Sequence, residues 1–230
     1  MIETKGYKLT QTNKTNTYTL YIKGDHKYDI YLSISETDIL SNTFYDDDYK
    51  QDSKQESNEY IIFTSETVDT LTNFLKKSGN KLTMEQTIKM INNLSKQLAH
   101  LELSNYAFYG FDLDDILVIN ESIYFIANTN YLLDIEETNI HFYRPIVFPY
   151  FSSPEVLKLT NLPSKINYRS NYYSLGSLIL FCLLNVHIDS KLKTGATVDT
   201  LLRPICHTKM YWFLKRCFLP NSEKRILLFI

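Results

Sequence analysis

Residues 149–184, PYFSSPEVLKLTNLPSKINYRSNYYSLGSLILFCLL, constrain the chain more than any other stretch. The second half, 171–184, is apolar and has a serine and a glycine near its start, Ser174 and Gly176. Its longest uninterrupted apolar run, 178–184, is far too short to span a bilayer. The first part, 151–157 (FSSPEVL), reads as a loop that enters a short amphipathic segment.

Residues 6–35 read as strands. Tyr18, Leu20 and Ile22 alternate with polar residues, and so do Tyr28, Ile30, Leu32 and Ile34. Gly24-Asp25 between the two runs predicts a hairpin turn. Residues 41–58 are polar and nearly free of aliphatic side chains, which predicts a long mobile loop. The aspartates at 46–48 fit a solvated loop better than a metal site. Residues 59–64 predict a short buried strand, and 68–77 a short helix ended by Ser78-Gly79. Thr83 and Gln86 form a capping box ahead of Met84, Ile88, Ile91, Leu94, Leu98 and Leu101, the stripe of a strong helix. Two short β-type runs follow at 108–119 and 122–127, split by the turn Asn120-Glu121. A loop then runs to Pro149, a polar connection covers 186–200, and 210–218 is an apolar segment with the only tryptophan, Trp212.

This order of strands, then helices with one β-hairpin, predicts an α+β fold with a boundary near residues 64–68. At 230 residues the chain fits one large domain or two small lobes, either with a sizeable core. Its net charge of −2 does not fit a general nucleic-acid binder. The odd number of cysteines, Cys182, Cys206 and Cys217, predicts a reduced, intracellular compartment. The start, MIETKGYK, has no apolar core and does not read as a secretory signal. No membrane partner is expected.

Several short motifs in order carry a resemblance to the protein-kinase family. Ser153-Pro154-Glu155 resembles the triplet that closes the activation segment. About 16 residues later, Asn171-Tyr172-Tyr173-Ser174-Leu175-Gly176 resembles the start of the central helix. Residues 217–225 (CFLPNSEKR) are similar to the family's closing pattern, 116–119 to the strand after its catalytic loop, and 124–127 to the strand before its metal-binding triplet. The resemblance covers roughly residues 59–230. It implies a protein-kinase-like two-lobe fold: a reduced, β-rich small lobe over residues 1–64 and a helical large lobe over 65–230. It also implies a buried ion pair between Glu155 and Arg225, with Asn171 and Gly176 as structural positions of the central helix.

The catalytic positions of that family are degenerate here. Phosphoryl transfer needs a Gly-rich cover, a Lys held by a Glu, a base Asp, and an Asn and an Asp on magnesium. Residues 10–17 (TQTNKTNT), where the cover belongs, hold no glycine. The lysine belongs near the end of a third strand at 31–34, where Ser33 or Ile34 stands, and 36–58 offers no clear partner Glu. Anchoring on 116–118 puts Gly110 at the base position and Asp115 at the magnesium Asn. Asn128 then falls at the second magnesium ligand. Shifting the register to make Asp112 the base would put Leu117 at the Asn position. Asp112 and Asp115 are the candidates for residual metal binding, beside Asp114 in the one compact acidic cluster. The central-helix Asp is replaced by Asn171. His26, His100, His141, His187 and His207 are scattered without metal-ligand spacing.

The resulting expectation is a catalytically inactive kinase-like domain, a pseudokinase, that acts as a scaffold or decoy through another protein, an active kinase among the candidates. No cofactor is expected; ATP and magnesium belong to the alternative, a divergent active Ser/Thr kinase. A structural component of a particle is the third reading. The Asn-, Lys- and Ile-rich composition reads as an AT-rich genome, and this style of degenerate kinase resembles those of large DNA viruses.

Overall fold

The structure, a computed structural model, describes residues 1–37 and 60–229. The polar stretch at 41–58, its aspartates at 46–48, Glu59 and most of residues 36–58, where the partner Glu belongs, lie outside the described residues. The fold is mixed α+β. β1 (Ile2–Glu3), β2 (Tyr7–Gln11), β3 (Thr17–Ile22) and β4 (Ile61–Thr64) form one antiparallel sheet in that order. Its inward residues, Tyr7, Leu9, Leu20, Ile22, Ile61 and Phe63, are buried, as period-two alternation requires.

The segment expected as a second strand is instead the helix α1 (Lys27–Ser35). Gly24-Asp25 therefore turns the chain from strand to helix, not from strand to strand. Alternate positions of a strand contain an i, i+4 pair, so Ile30 and Ile34 also define one helical face. That face is buried, while Tyr28 and Leu32 stay exposed. Packing against α3 (Met84–Leu103) decides between the two, and Gln97 of α3 donates to Ser33 Oγ at 3.1 Å. There is accordingly no third strand at 31–34 to end in a lysine.

α3 begins where expected. The Thr83 hydroxyl accepts from Gln86 N, and the Gln86 carboxamide accepts from Thr83 N. Ile91, Leu94, Leu98 and Leu101 are buried along its stripe, whereas Met84 is exposed. Residues 68–77 divide into β5 (Val68–Thr70) and α2 (Leu71–Lys77), capped by Thr70 Oγ1. β5 pairs with β8 (Ile116–Ile119), which pairs with β9 (Ile123–Ile126) across Asn120 and Glu121, both left-handed at φ 48° and 56°. The outer edge of β9 is covered by α3: Asn93 accepts from Tyr124 N, and Gln97 bonds both N and O of Ile126.

The body after residue 65 is less helical than expected, since three of the four sheets described lie there. The loop predicted before Pro149 contains the hairpin β10 (Leu132–Glu136) and β11 (Asn139–Phe142). With β6 (Tyr106–Phe108) and β13 (Ser164–Asn167) it makes a four-stranded sheet. β7 (Gly110–Phe111) pairs with β12 (Phe151–Ser152), ahead of α4 (Pro154–Leu157). The polar connection at 186–200 holds α6 (Ile188–Lys193) and the start of α7 (Val198–Leu202). These segments are short and amphipathic only over one or two turns, too little for a periodic signal. α5 (Ser170–Leu184) is buried nearly all round, and α8 (Lys209–Cys217) packs on it while Trp212 points outward, 59 % exposed. The three cysteines are free, two of them buried. No helix among the described residues is long and apolar enough to cross a membrane.

One hydrophobic core runs continuously from Tyr7 in the first sheet to Phe218 after α8. The link between β4 and β5 is fastened to the β8–β9 turn. Asn120 Oδ1 accepts from Ser65 Oγ at 2.8 Å, Glu66 N at 3.0 Å and Thr67 N at 3.2 Å. Asn120→Gly keeps the left-handed backbone and deletes these bonds. It is expected to lower unfolding free energy in urea by about 2 kcal/mol; a loss under about 0.5 kcal/mol would mean that water replaces the carboxamide without cost.

Candidate functional site

The first sheet, the 112–115 segment and residues 128–131 converge on one pocket of about 490 Å³. β2 starts with Tyr7, whose buried hydroxyl donates to the Asp114 carbonyl at 2.9 Å. This bond draws the preceding turn, Thr4–Lys5–Gly6, over the 112–115 segment. Gly6 then lies so near Asn128 that a Cβ there would stand 2.0 Å from Asn128 Oδ1. Beside it Thr129 Oγ1 donates to the Lys23 carbonyl at 2.7 Å, and Gly24, at φ 102°, rests on the same hydroxyl. Two turns of the first sheet thus close on Asn128-Thr129, each through a glycine.

Asp115 sits in a short 3-10 turn between β7 and β8 and is 6 % exposed. Its Oδ2 accepts from Asp112 N at 2.8 Å, and its Oδ1 accepts from the Asn128 carboxamide. Asn128 Oδ1 in turn accepts from Asn130 N at 2.9 Å. Asp112 is also engaged at both oxygens, by Tyr131 Oη at 2.6 Å and by Tyr150 N at 2.6 Å. The two candidate metal ligands therefore bond protein donors, and among the described residues no three His, Cys, Asp or Glu side chains group to hold an ion. Asp112 ties Tyr131 to the segment before β12, a role sequence reasoning did not find. Asp114 is exposed and its carboxylate has no hydrogen bond among the described residues.

Burial pushes the Asp115 carboxyl up to about 6, helped by the charges of Asp112 and Asp114 and opposed by the bonds from Asn128 and Asp112 N. A carboxyl held above its ordinary value binds its proton more tightly folded than unfolded. Its stabilisation is present in acid and lost as pH rises through about 6. Relative to Asp115→Asn, the native chain is expected to lose on the order of 2–3 kcal/mol between pH 4 and pH 7. Urea midpoints of both proteins across that range measure the difference; parallel profiles would refute it.

Gly110, which the resemblance puts at a base position, pairs with Ser152 between β7 and β12. A Cβ there would lie 2.7 Å from Pro149 Cγ and 2.8 Å from the Phe151 carbonyl oxygen. Gly176 in α5 is similarly enclosed by Cys217 and Phe218. Asn171 is fully buried beside Glu102, whose other neighbour, Tyr172 Oη, donates to it at 2.8 Å. These groups lie away from the pocket. Glu155 and Arg225 meet 70 residues apart through two contacts, 2.6 and 3.1 Å. The pocket's remaining wall is aromatic: Tyr131, Tyr150 and Phe181, with Tyr150 Oη on His187 Nε2 at 2.7 Å.

No protein-family model and no curated protein matches the chain.

Proposed function

We propose that this chain is a degenerate protein-kinase-like domain that does not transfer phosphate and acts by binding another protein. The observation that carries the reading is the closure of Gly6 on Asn128, with Asn128 bonded to Asp115. In the resemblance, Asp115 and Asn128 stand where two metal ligands belong. Here the pair satisfies itself, and Gly6 packs directly against Asn128. The order of the motifs and the Glu155–Arg225 pair support a kinase-like frame, and Gly110 supports the loss of chemistry, because it offers no base and its surroundings admit no side chain. Neither proton abstraction nor metal neutralisation is supported by these groups, and the pocket face is therefore assigned to recognition of a partner. An active kinase is one such partner.

Melting with and without ATP, in magnesium and in manganese, tests this. No shift is expected. A nucleotide at a hundred times its dissociation constant would add about 2.7 kcal/mol, several degrees for a domain of this size. Such a shift, or a metal-dependent autophosphorylation signal lost on Asp115→Ala, would overturn the proposal and favour a divergent active kinase.

A further inference from the structure

We propose that the pocket between α3 and the start of α5 is a hydration site, in which ordered waters bridge Ser95 to Glu102. It shares no lining residue with the pocket at Asp115. It therefore belongs to the frame of the fold and not to the face proposed to bind a partner.

The pocket has a volume of about 190 Å³. Ser95, Ala99 and Glu102 line it from one face of α3, at spacings of four and three residues. Arg169 and Tyr172, at the start of α5, form a second wall. Ile226 and Leu227, just after the buried Arg225, form a third.

Three observations point to water. First, polar atoms of the wall lack partners. Ser95 Oγ and Glu102 Oε1 are buried and have no hydrogen-bond partner among the described residues. The other Glu102 oxygen accepts from Tyr172 Oη at 2.8 Å. Asn171, fully buried beside Glu102, leaves both ends of its carboxamide unpaired as well. Buried hydroxyl, carboxylate and carboxamide groups are nearly always bonded in folded proteins, and ordered water serves where protein groups do not. Second, the charges balance. Arg225 is matched by Glu155, and the charge of Arg169 offsets that of Glu102. Arg169 is itself held by Tyr168 Oη at 3.2 Å and by the Glu223 carbonyl at 2.8 Å. A pocket without net charge calls for no ion. It calls for a neutral ligand that both donates and accepts, as water does. Third, the size fits. The volume exceeds what one water occupies. Ser95 and Glu102 lie two helical turns apart, so a bridge between them takes more than one water.

A high-resolution crystal structure of the full chain, grown without polyols, tests the site directly and needs no variant. Ordered waters are expected within hydrogen-bond distance of Ser95 Oγ and of Glu102 Oε1, bonded to one another. A pocket free of ordered water, waters on only one of the two groups, or both groups bonded to protein instead would overturn the proposal. Urea unfolding of Ser95→Ala, Glu102→Met and the double variant tests it in solution. A shared set of waters is lost only once. Ser95→Ala should therefore lower the urea midpoint more in the native chain than in the Glu102→Met background. The better helix propensity of alanine enters both comparisons equally and cancels. Equal shifts in the two backgrounds would mean that the two side chains share no water, and the proposal would fail.

Discussion

Glu155→Ala is expected to destabilise the folded chain by about 3–5 kcal/mol, the usual loss when one member of a buried pair is removed. The reason lies with its partner. Arg225 is 1 % exposed and among the largest fully buried side chains. Its guanidinium is bonded by both Glu155 oxygens, by the Leu219 carbonyl at 2.8 Å and by the Pro220 carbonyl at 3.4 Å, and it faces the Tyr173 ring. Without Glu155 the two carbonyls remain, but the positive charge stays out of water with no counter-charge. Adding Arg225→Met should recover part of the loss, because an apolar side chain of similar length needs no partner. Burial alone pushes the Glu155 carboxyl up, but the bonds and charge of Arg225 outweigh it and hold the carboxyl below its ordinary range. The pair therefore contributes fully at neutral pH and fades as pH falls through the carboxylate range. Urea unfolding of the single and double variants measures all of this. A loss below about 1 kcal/mol for Glu155→Ala would mean the pair behaves as a surface contact.

The second large effect concerns a substitution that would put a carboxylate where the resemblance places a catalytic base. Gly110→Asp is expected to cost on the order of 5 kcal/mol and to yield no phosphotransfer. Its Cβ would meet Pro149 and the Phe151 carbonyl below 3 Å, an overpacking cost of about 1–3 kcal/mol. The carboxylate would then be forced against Pro149 and the Phe151 carbonyl oxygen, which adds a desolvation cost of several kcal/mol. Gly110→Ala separates the two costs, since it carries only the first. If Gly110→Asp folds with native stability, the enclosure of this glycine has been overstated. If it also gains metal-dependent activity, the proposal of a binding domain fails.

Some of this was legible in the chain and some was not, for physical reasons. α3 could be read because its cap and its stripe are both local signals that reinforce each other. α5 could be read because an uncharged apolar segment of that length has to be buried. α1 could not, because alternating apolar residues serve a strand face and a helix face alike, and the choice is made by Ser33 and Gln97, 64 residues apart. The β10–β11 hairpin carries too few buried residues to stand out, and its turn at Glu137, φ 59°, lacks the glycine or asparagine that marks such turns. At the candidate site, the resemblance singled out Gly110, Asp115 and Asn128. The closure was not legible. Residues 10–17, which hold no glycine, span the second turn of the sheet, whereas the glycine that closes on Asn128 is Gly6 in the first turn, one position before the buried Tyr7. Both roles of Asp112 were equally hidden, because its partners Tyr131 and Tyr150 lie 19 and 38 residues away.

The fastening of residues 65–67 by Asn120 has a kinetic corollary. The link is held by a carboxamide, and Gln97 ties α1 to α3 through Ser33. If the pocket face binds a protein, as proposed, binding should not wait for these contacts to break: the observed association rate should climb linearly with partner concentration and reach no plateau. Differences in affinity between partners would then lie in how long each complex lasts.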